Sequence, residues 1–161
     1  MIRIGIDPAF RKSGIGFCMQ DGKQVVFKKY SIIELLNDIN AGCFKNASVC
    51  VENSDIQSFK FKLKNMIFSY KQKGYQAERL YNLCSEYGAR VGKNQAVSEI
   101  ICDAIKFKCA SLYEVSPKGK GAKEIDTAFV KNICERKGWT MNKKRLNQDD
   151  RDAFKLMLLA K

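Results

Sequence analysis

The first thirty residues commit this chain to a sheet. Ile2-Arg3-Ile4-Gly5-Ile6-Asp7 alternates an apolar face and stops at Pro8, which cannot donate to a strand ladder. Ser13 to Met19 and Gln24 to Lys29 read as two further strands, and Asp21-Gly22 between them is a strong hairpin turn signal. A meander of this kind exposes apolar surface that later elements must cover.

Those elements follow in order. Ser31, with Glu34 three residues on, makes a capping box before a short helix. Val49-Cys50-Val51 is a fourth strand ending at Glu52. Val97, Ile101, Ala104 and Lys108 share a helical face that Ile100 and Ile105 broaden. Leu112-Tyr113-Glu114-Val115 is a fifth strand, stopped by Ser116-Pro117. Ile125, Phe129 and Ile133 stripe another helix with Gly138 at its end. The last helix starts at about Asp149, with Ala153, Leu156, Met157 and Ala160 inward. A meander followed by β-α units predicts an α/β fold, a mixed five-stranded sheet flanked by helices. The two prolines, Pro8 and Pro117, mark no boundary and no Gly/Ser linker occurs, so residues 1–161 read as a single domain.

Charge narrows the function. Lys and Arg total 29 against 17 Asp and Glu, a net charge of +12, which favours a polyanionic partner, nucleic acid before an anionic membrane. There is no His, which excludes Ser-His-Asp and Cys-His catalysis and His-ligated zinc or haem. The seven cysteines, at 18, 43, 50, 84, 102, 109 and 134, contain no C-x-x-C pair and read as reduced, mostly core-filling thiols. The start MIRIGID lacks the basic-then-apolar character of a signal peptide, and no apolar run approaches the roughly 20 residues of a membrane span. The expectation is a cytoplasmic protein.

Chemistry then has to run through other groups, and four acids stand in telling places. Asp7 and Glu52 end the first and fourth strands, and Asp149 and Asp152 lie one turn apart at the start of the last helix. With the first and fourth strands adjacent, Asp7 and Glu52 share an edge. Clustered carboxylates need a positive partner, and hard oxygen donors suit Mg²⁺ or Mn²⁺, two ions of which can drive phosphodiester hydrolysis. Structural roles exist for each: a turn at Asp7-Pro8, a solvated loop at Glu52-Asn53-Ser54-Asp55, a helix cap at Asp149 or Asp150. Asp152 directly precedes the apolar stripe and is read as facing the sheet, whereas Asp150 is read as exposed.

Ile4-Gly5-Ile6-Asp7-Pro8 followed by Ser13-Gly14-Ile15-Gly16 resembles the opening of the RuvC-like Holliday junction resolvases, in the ribonuclease-H-like superfamily. Val51-Glu52 resembles that family's second acid, and Asp149-Asp150-Arg151-Asp152-Ala153 its C-terminal D-x-x-D-A signature. The segment from Gly88 to Asn94 and the Gly138-Trp139 close are similar to the shorter, phage-type members, for which the compartment is the host cytoplasm. The resemblance implies a ribonuclease-H-like sheet, Asp7, Glu52, Asp149 and Asp152 as metal-binding catalytic acids, two Mg²⁺ or Mn²⁺ ions, and a homodimer that nicks four-way DNA junctions symmetrically. Two departures stand out: Ala9 occupies the place of the usual glycine after Asp-Pro, and the stretch from Glu52 to Gly88 is longer than in the bacterial members.

Basic residues supply the DNA contacts expected of such a chain. Phe59, Lys60, Phe61, Lys62 and Lys64 alternate aromatic or apolar residues with lysine, so one face can stack on bases while the other meets phosphate; a half-buried segment with a solvated lysine face has the same pattern. Lys118, Lys120 and Lys123 follow the fifth strand in a Gly-rich loop and resemble the family's basic pair near the scissile phosphate, with Lys118 and Lys123 as catalytic candidates; a solvated turn is the other reading. Lys93 joins the DNA-binding set, but Gly88-x-x-x-Gly92-Lys93 is one residue short of a P-loop and is followed by Asn94. Lysine outnumbers arginine 22 to 7, which suits phosphate tracking over base reading. Two further readings stay open: another ribonuclease-H-fold nuclease acting on RNA, hybrid or flap substrates, and a non-catalytic branched-DNA-binding module.

Overall fold

The computed structural model of the chain describes residues 1–8, 14–53, 67–116 and 125–161. Its meander consists of β1 (Ile2–Asp7), β2 (Ile15–Asp21) and β3 (Gln24–Tyr30), antiparallel throughout. Gly22 closes the hairpin at φ 53°, a left-handed conformation that costs a residue without a Cβ little. Helix α1 (Ile32–Asn40) begins with the expected capping box, the Ser31 hydroxyl accepting from the Glu34 N–H and the Glu34 carboxylate from the Ser31 N–H. β4 (Ala47–Glu52) returns parallel to β1. Then come α2 (Ala77–Ile105), β5 (Ser111–Val115), α3 (Thr127–Lys137), β6 (Thr140–Met141) and α4 (Gln148–Leu159). Residues 67–72 are helical as well.

The sheet is mixed and has the order β5-β4-β1-β2-β3-β6, so it holds six strands where five were expected. The sixth is two residues long and has no alternation to read. It adheres to β3 through the Thr140 N–H donating to the Lys23 carbonyl, and Asn142 extends the seam by bonding both backbone groups of Phe27. Two helical faces also turn out differently from their apolar stripes. α2 buries Val97, Ser98, Ile101, Cys102 and Ile105, while Ile100 is half exposed and Lys108 lies past the helix end. α3 buries Val130 and Cys134 and leaves Phe129 half exposed, with Gly138 capping at φ 65°. The buried faces combine the large Val97, Ile101, Ile105 and Val130 with the small Ser98, Cys102 and Cys134. Ser98 can be buried because its hydroxyl bonds the Asn94 carbonyl one turn back.

Strand pleating divides the core in two. Ile4, Ile6, Phe17, Val49 and Val51 meet α1 and the second half of α2 on one face. Cys18, Val25 and Phe27 meet Val130, Cys134, Ala153, Phe154 and Met157 of α3 and α4 on the other, where Cys50 also packs on Leu156. Helix α4 lies so close to this face that Gly5 has room only for hydrogen: a Cβ there would fall 2.1 Å from the Ala153 carbonyl oxygen and 2.2 Å from the Met157 nitrogen. No helix among the described residues is long and apolar enough to cross a membrane.

All seven cysteines are free thiols, and Cys18, Cys50, Cys102 and Cys134 are buried. Burial pushes the Cys50 and Cys102 thiols up to about 12, so they pack as neutral side chains at ordinary pH. Iodoacetamide at pH 8 is expected to alkylate exposed Cys43 first and these four only after unfolding, as peptide mass spectrometry will read. Gly5→Ala is expected to cost about 3 kcal/mol or more in denaturant unfolding, because the new methyl meets backbone that cannot step aside.

Candidate functional site

The strand registers build a row across four strands. Asp7 on β1 is opposite Gly16 on β2, and Gly16 is opposite Lys29 on β3. On the other side, Ile6 pairs with Val51, and one step further along the same parallel register Asp7 stands beside Glu52. Cross-strand partners point to the same face of a sheet. For this row it is the face under α4, since a Cβ on Gly16 would lie 2.8 Å from the Asp149 carbonyl oxygen and 3.2 Å from its Cβ. Glu52, Asp7, Gly16 and Lys29 therefore form a line, and Asp149 descends on it above the glycine.

Asp7, Glu52 and Asp149 are all buried, at 6%, 9% and 6% exposure, which is unusual for carboxylates and places them in the interior rim rather than on the surface. Two strand ends and a helix start hold them, so backbone geometry fixes where each carboxylate emerges. Asp149 lies in the first turn of α4, where the helix's free N–H groups favour negative charge. Asp152, one turn on, is half-buried, and its Oδ2 accepts from the Gln148 side chain at 3.1 Å. Asp7 and Glu52 thus end adjacent strands, Asp149 stands above Gly16, and Asp152 lies on the adjoining turn.

Two residues change the picture drawn from sequence. Asp150, expected to be exposed, is completely buried. It is the N3 residue of a capping box whose cap is Asn147: its Oδ2 accepts from the Asn147 N–H at 2.9 Å, and the Asn147 side chain accepts from the Asp150 N–H at 2.9 Å. That reach back toward the helix start turns the carboxylate inward, and the Lys143 ammonium meets it at 2.6 Å. Asn147, three residues before Asp150, is the signal that identifies the cap. Arg151 fastens the same entry by donating to the Leu146 carbonyl and to the Gln148 side chain.

The second residue is Lys29, which the sequence reading passed over. Its ammonium lies 2.5 Å from the Asp149 Oδ2, with the lysine side chain only a quarter exposed. Val25, Phe27 and Lys29 alternate along β3 toward the α4 face. A lysine at the inward position of an alternating strand was the sign available.

Of the DNA-binding candidates, Lys93 lies among the described residues and is separate from this row. Lys93 is exposed on α2, a helix that packs on the opposite face of the sheet. Phe59, Lys60, Phe61, Lys62, Lys64, Lys118, Lys120 and Lys123 lie outside the described residues, as does Ala9. Gly88 and Gly92 fall in the interior of α2, where no phosphate-cradling loop exists. Trp139 packs against the α3–α4 core.

The donor set, buried carboxylates on rigid supports, fits a hard divalent cation in its chemistry. Among the described residues no three acidic or thiol side chains stand together as a ready cation cage. The ammonium of Lys29 meanwhile supplies positive charge at Asp149.

The Asp150 site is structural by contrast, and its test is stability. Asp150 Oδ1 has no hydrogen-bond partner among the described residues, so Lys143 carries most of the compensation for burying that charge. Lys143→Met is expected to lower unfolding free energy by about 2–3 kcal/mol, since one end of the pair is solvent-accessible and the other is not. Chemical denaturation measures it, and Lys143→Arg is expected to recover most of the loss.

Comparison with protein-family models, curated proteins and solved structures finds no match for this chain.

Proposed function

We propose that the chain is a metal-dependent, structure-selective DNA endonuclease of the RuvC-like, ribonuclease-H-like kind, resolving four-way or branched junctions by paired nicks. The observation that carries this reading is the placement of Asp7 and Glu52 at adjacent strand ends, with the Asp149 backbone over Gly16 next to Asp7, from three elements far apart in sequence. The meander and the parallel β4 and β5 agree with the ribonuclease-H-like fold that the motifs suggest.

In this reading Asp7, Glu52 and Asp149, with Asp152 on the next turn, hold Mg²⁺ or Mn²⁺, two ions per site. Such ions, when bound, supply activation of water and charge stabilisation of the leaving oxygen. The protein's part is positional. β1 and β4 hold their terminal carboxylates at fixed spacing, and α4 brings Asp149 over Gly16 with its capped first turn. The low local exposure strengthens each carboxylate's hold on a cation relative to a solvated site. The net charge of +12 brings the phosphate backbone to the protein, and Lys93 and the lysines between 60 and 64 and between 118 and 123 are the proposed contacts. Paired nicks call for two active sites, which a homodimer supplies.

The test is cleavage of an immobile, end-labelled four-way DNA junction in Mg²⁺, beside linear duplex and an RNA–DNA hybrid. The expected result is symmetric nicks in the junction alone, with Asp7→Asn losing at least about a hundredfold in rate while junction binding survives. Cleavage confined to hybrid or flap DNA would move the substrate and keep the acid site. Tight junction binding without cleavage in Mg²⁺ or Mn²⁺ would overturn the enzyme reading.

A further inference from the structure

Among the described residues Lys29 is a cation paired with one of these acids, and three observations make it more than a surface pairing. Its Nζ lies 2.5 Å from Asp149 Oδ2, with Asp149 buried and the lysine side chain only a quarter exposed. It stands in the same cross-strand row as Asp7, with only Gly16 between them. The glycine leaves the space over that row to the Asp149 main chain, which stands between Lys29 of β3 on one side and the ends of β1 and β4 on the other.

We propose that Lys29 is a positioning residue for the cation site: its ammonium holds Asp149 and neutralises the acid row when no divalent ion is bound, and it competes with that ion for Asp149. The proposal rests on reading the acid row as a divalent-cation site. Three buried carboxylates on neighbouring backbone positions repel one another, and an empty row of this kind favours loosening of the α4 start. A tethered ammonium relieves the repulsion without leaving the protein. The same charge opposes a second cation at the same oxygen, so affinity for Mg²⁺ or Mn²⁺ is set lower than the acids alone would give. The ion and the lysine then alternate as the counter-charge of Asp149. The lysine released on ion binding stays at the rim of the site, a position suited to an anionic phosphodiester.

Lys29→Met keeps the length of the stem and removes the charge. Two readings are made on the full chain without DNA: Mn²⁺ affinity by calorimetry, and Tm with EDTA and with saturating Mn²⁺. The expected result is Mn²⁺ binding about tenfold tighter than in the wild type, with Tm lowered in EDTA and restored by Mn²⁺. Lys29→Arg, which keeps the charge, is expected to stay near wild-type affinity. Equal affinity in Lys29→Met and wild type, or a Tm loss that Mn²⁺ leaves untouched, would make Lys29 a structural partner only and overturn the proposal while the cation site stands. Mn²⁺ binding by neither protein would remove the cation site, and the proposal with it. If Lys29→Met fails to fold, Lys29→Gln takes the same measurements.

Discussion

The close approach of α4 to the β1–β2 pair governs the rest of the structure. Helices ordinarily stand off a sheet by the depth of the side chains between them. Here Gly5 and Gly16 remove that layer at two points, and the Ala153 carbonyl, the Met157 nitrogen and the Asp149 main chain occupy the space that side chains would fill. Gly5 fixes the middle of the helix against the sheet and Gly16 fixes its first turn. With both contacts made, the helix start has one possible position above the strand ends. An acid placed there stands over Gly16, next to Asp7 in the strand register.

That constraint separates two neighbouring aspartates. Asp149 and Asp150 are adjacent in sequence and both belong to the first turn, yet a helix turns by about 100° between them. Asp149 faces the sheet edge and a lysine from β3, in a setting that a cation or solvent can still reach. Asp150 reaches back to Asn147, accepts from the Lys143 ammonium and is wholly enclosed. One carboxylate has its bonding capacity committed to starting the helix, and the other is presented to the row. Both have a lysine partner, and the pairs differ on the acid side: Asp149 keeps slight exposure, whereas Asp150 has none. An ion pair whose acid is sealed and capped is a folding element, whereas one in a row with other acids is exchangeable.

Much of this was legible in the sequence, for identifiable reasons. The alternation of Ile2 to Asp7, the Asp21-Gly22 turn and the Ser31–Glu34 box are local signals, and each was met by the structure. Asp7 and Glu52 end their strands where the apolar runs stop, and the first and fourth strands pair, a short step from the meander. What could not be read depends on partners distant in sequence. β6 exists only because β3 offers an unpaired edge, and its two residues carry no pattern. The buried face of α2 keeps the expected Val97, Ile101 and Ile105 and adds Ser98 and Cys102 in place of Ile100, while that of α3 turns to Val130 and Cys134 and leaves Phe129 half exposed. Asp150, expected to be exposed because it points away from Asp149 and Asp152 on the helix, is instead turned inward by its capping box with Asn147. Lys29 was missed because a lysine near a strand end reads as solvated until its register partner is known.

The charge distribution then takes on a particular logic. A chain with a net charge of +12 would gain attraction for polyanions from lysines anywhere on its surface, and such lysines need no fixed geometry. Lys29 is held at an inward strand position, against the buried Asp149. A fixed inward placement of this kind is not what long-range attraction of a ligand needs. It pairs with an acid that reaches this position because Gly16 lets the Asp149 main chain come down onto the sheet. The glycine and the lysine are consequently linked across the β2–β3 register: the first admits Asp149 to the sheet, and the second supplies it with a counter-charge there.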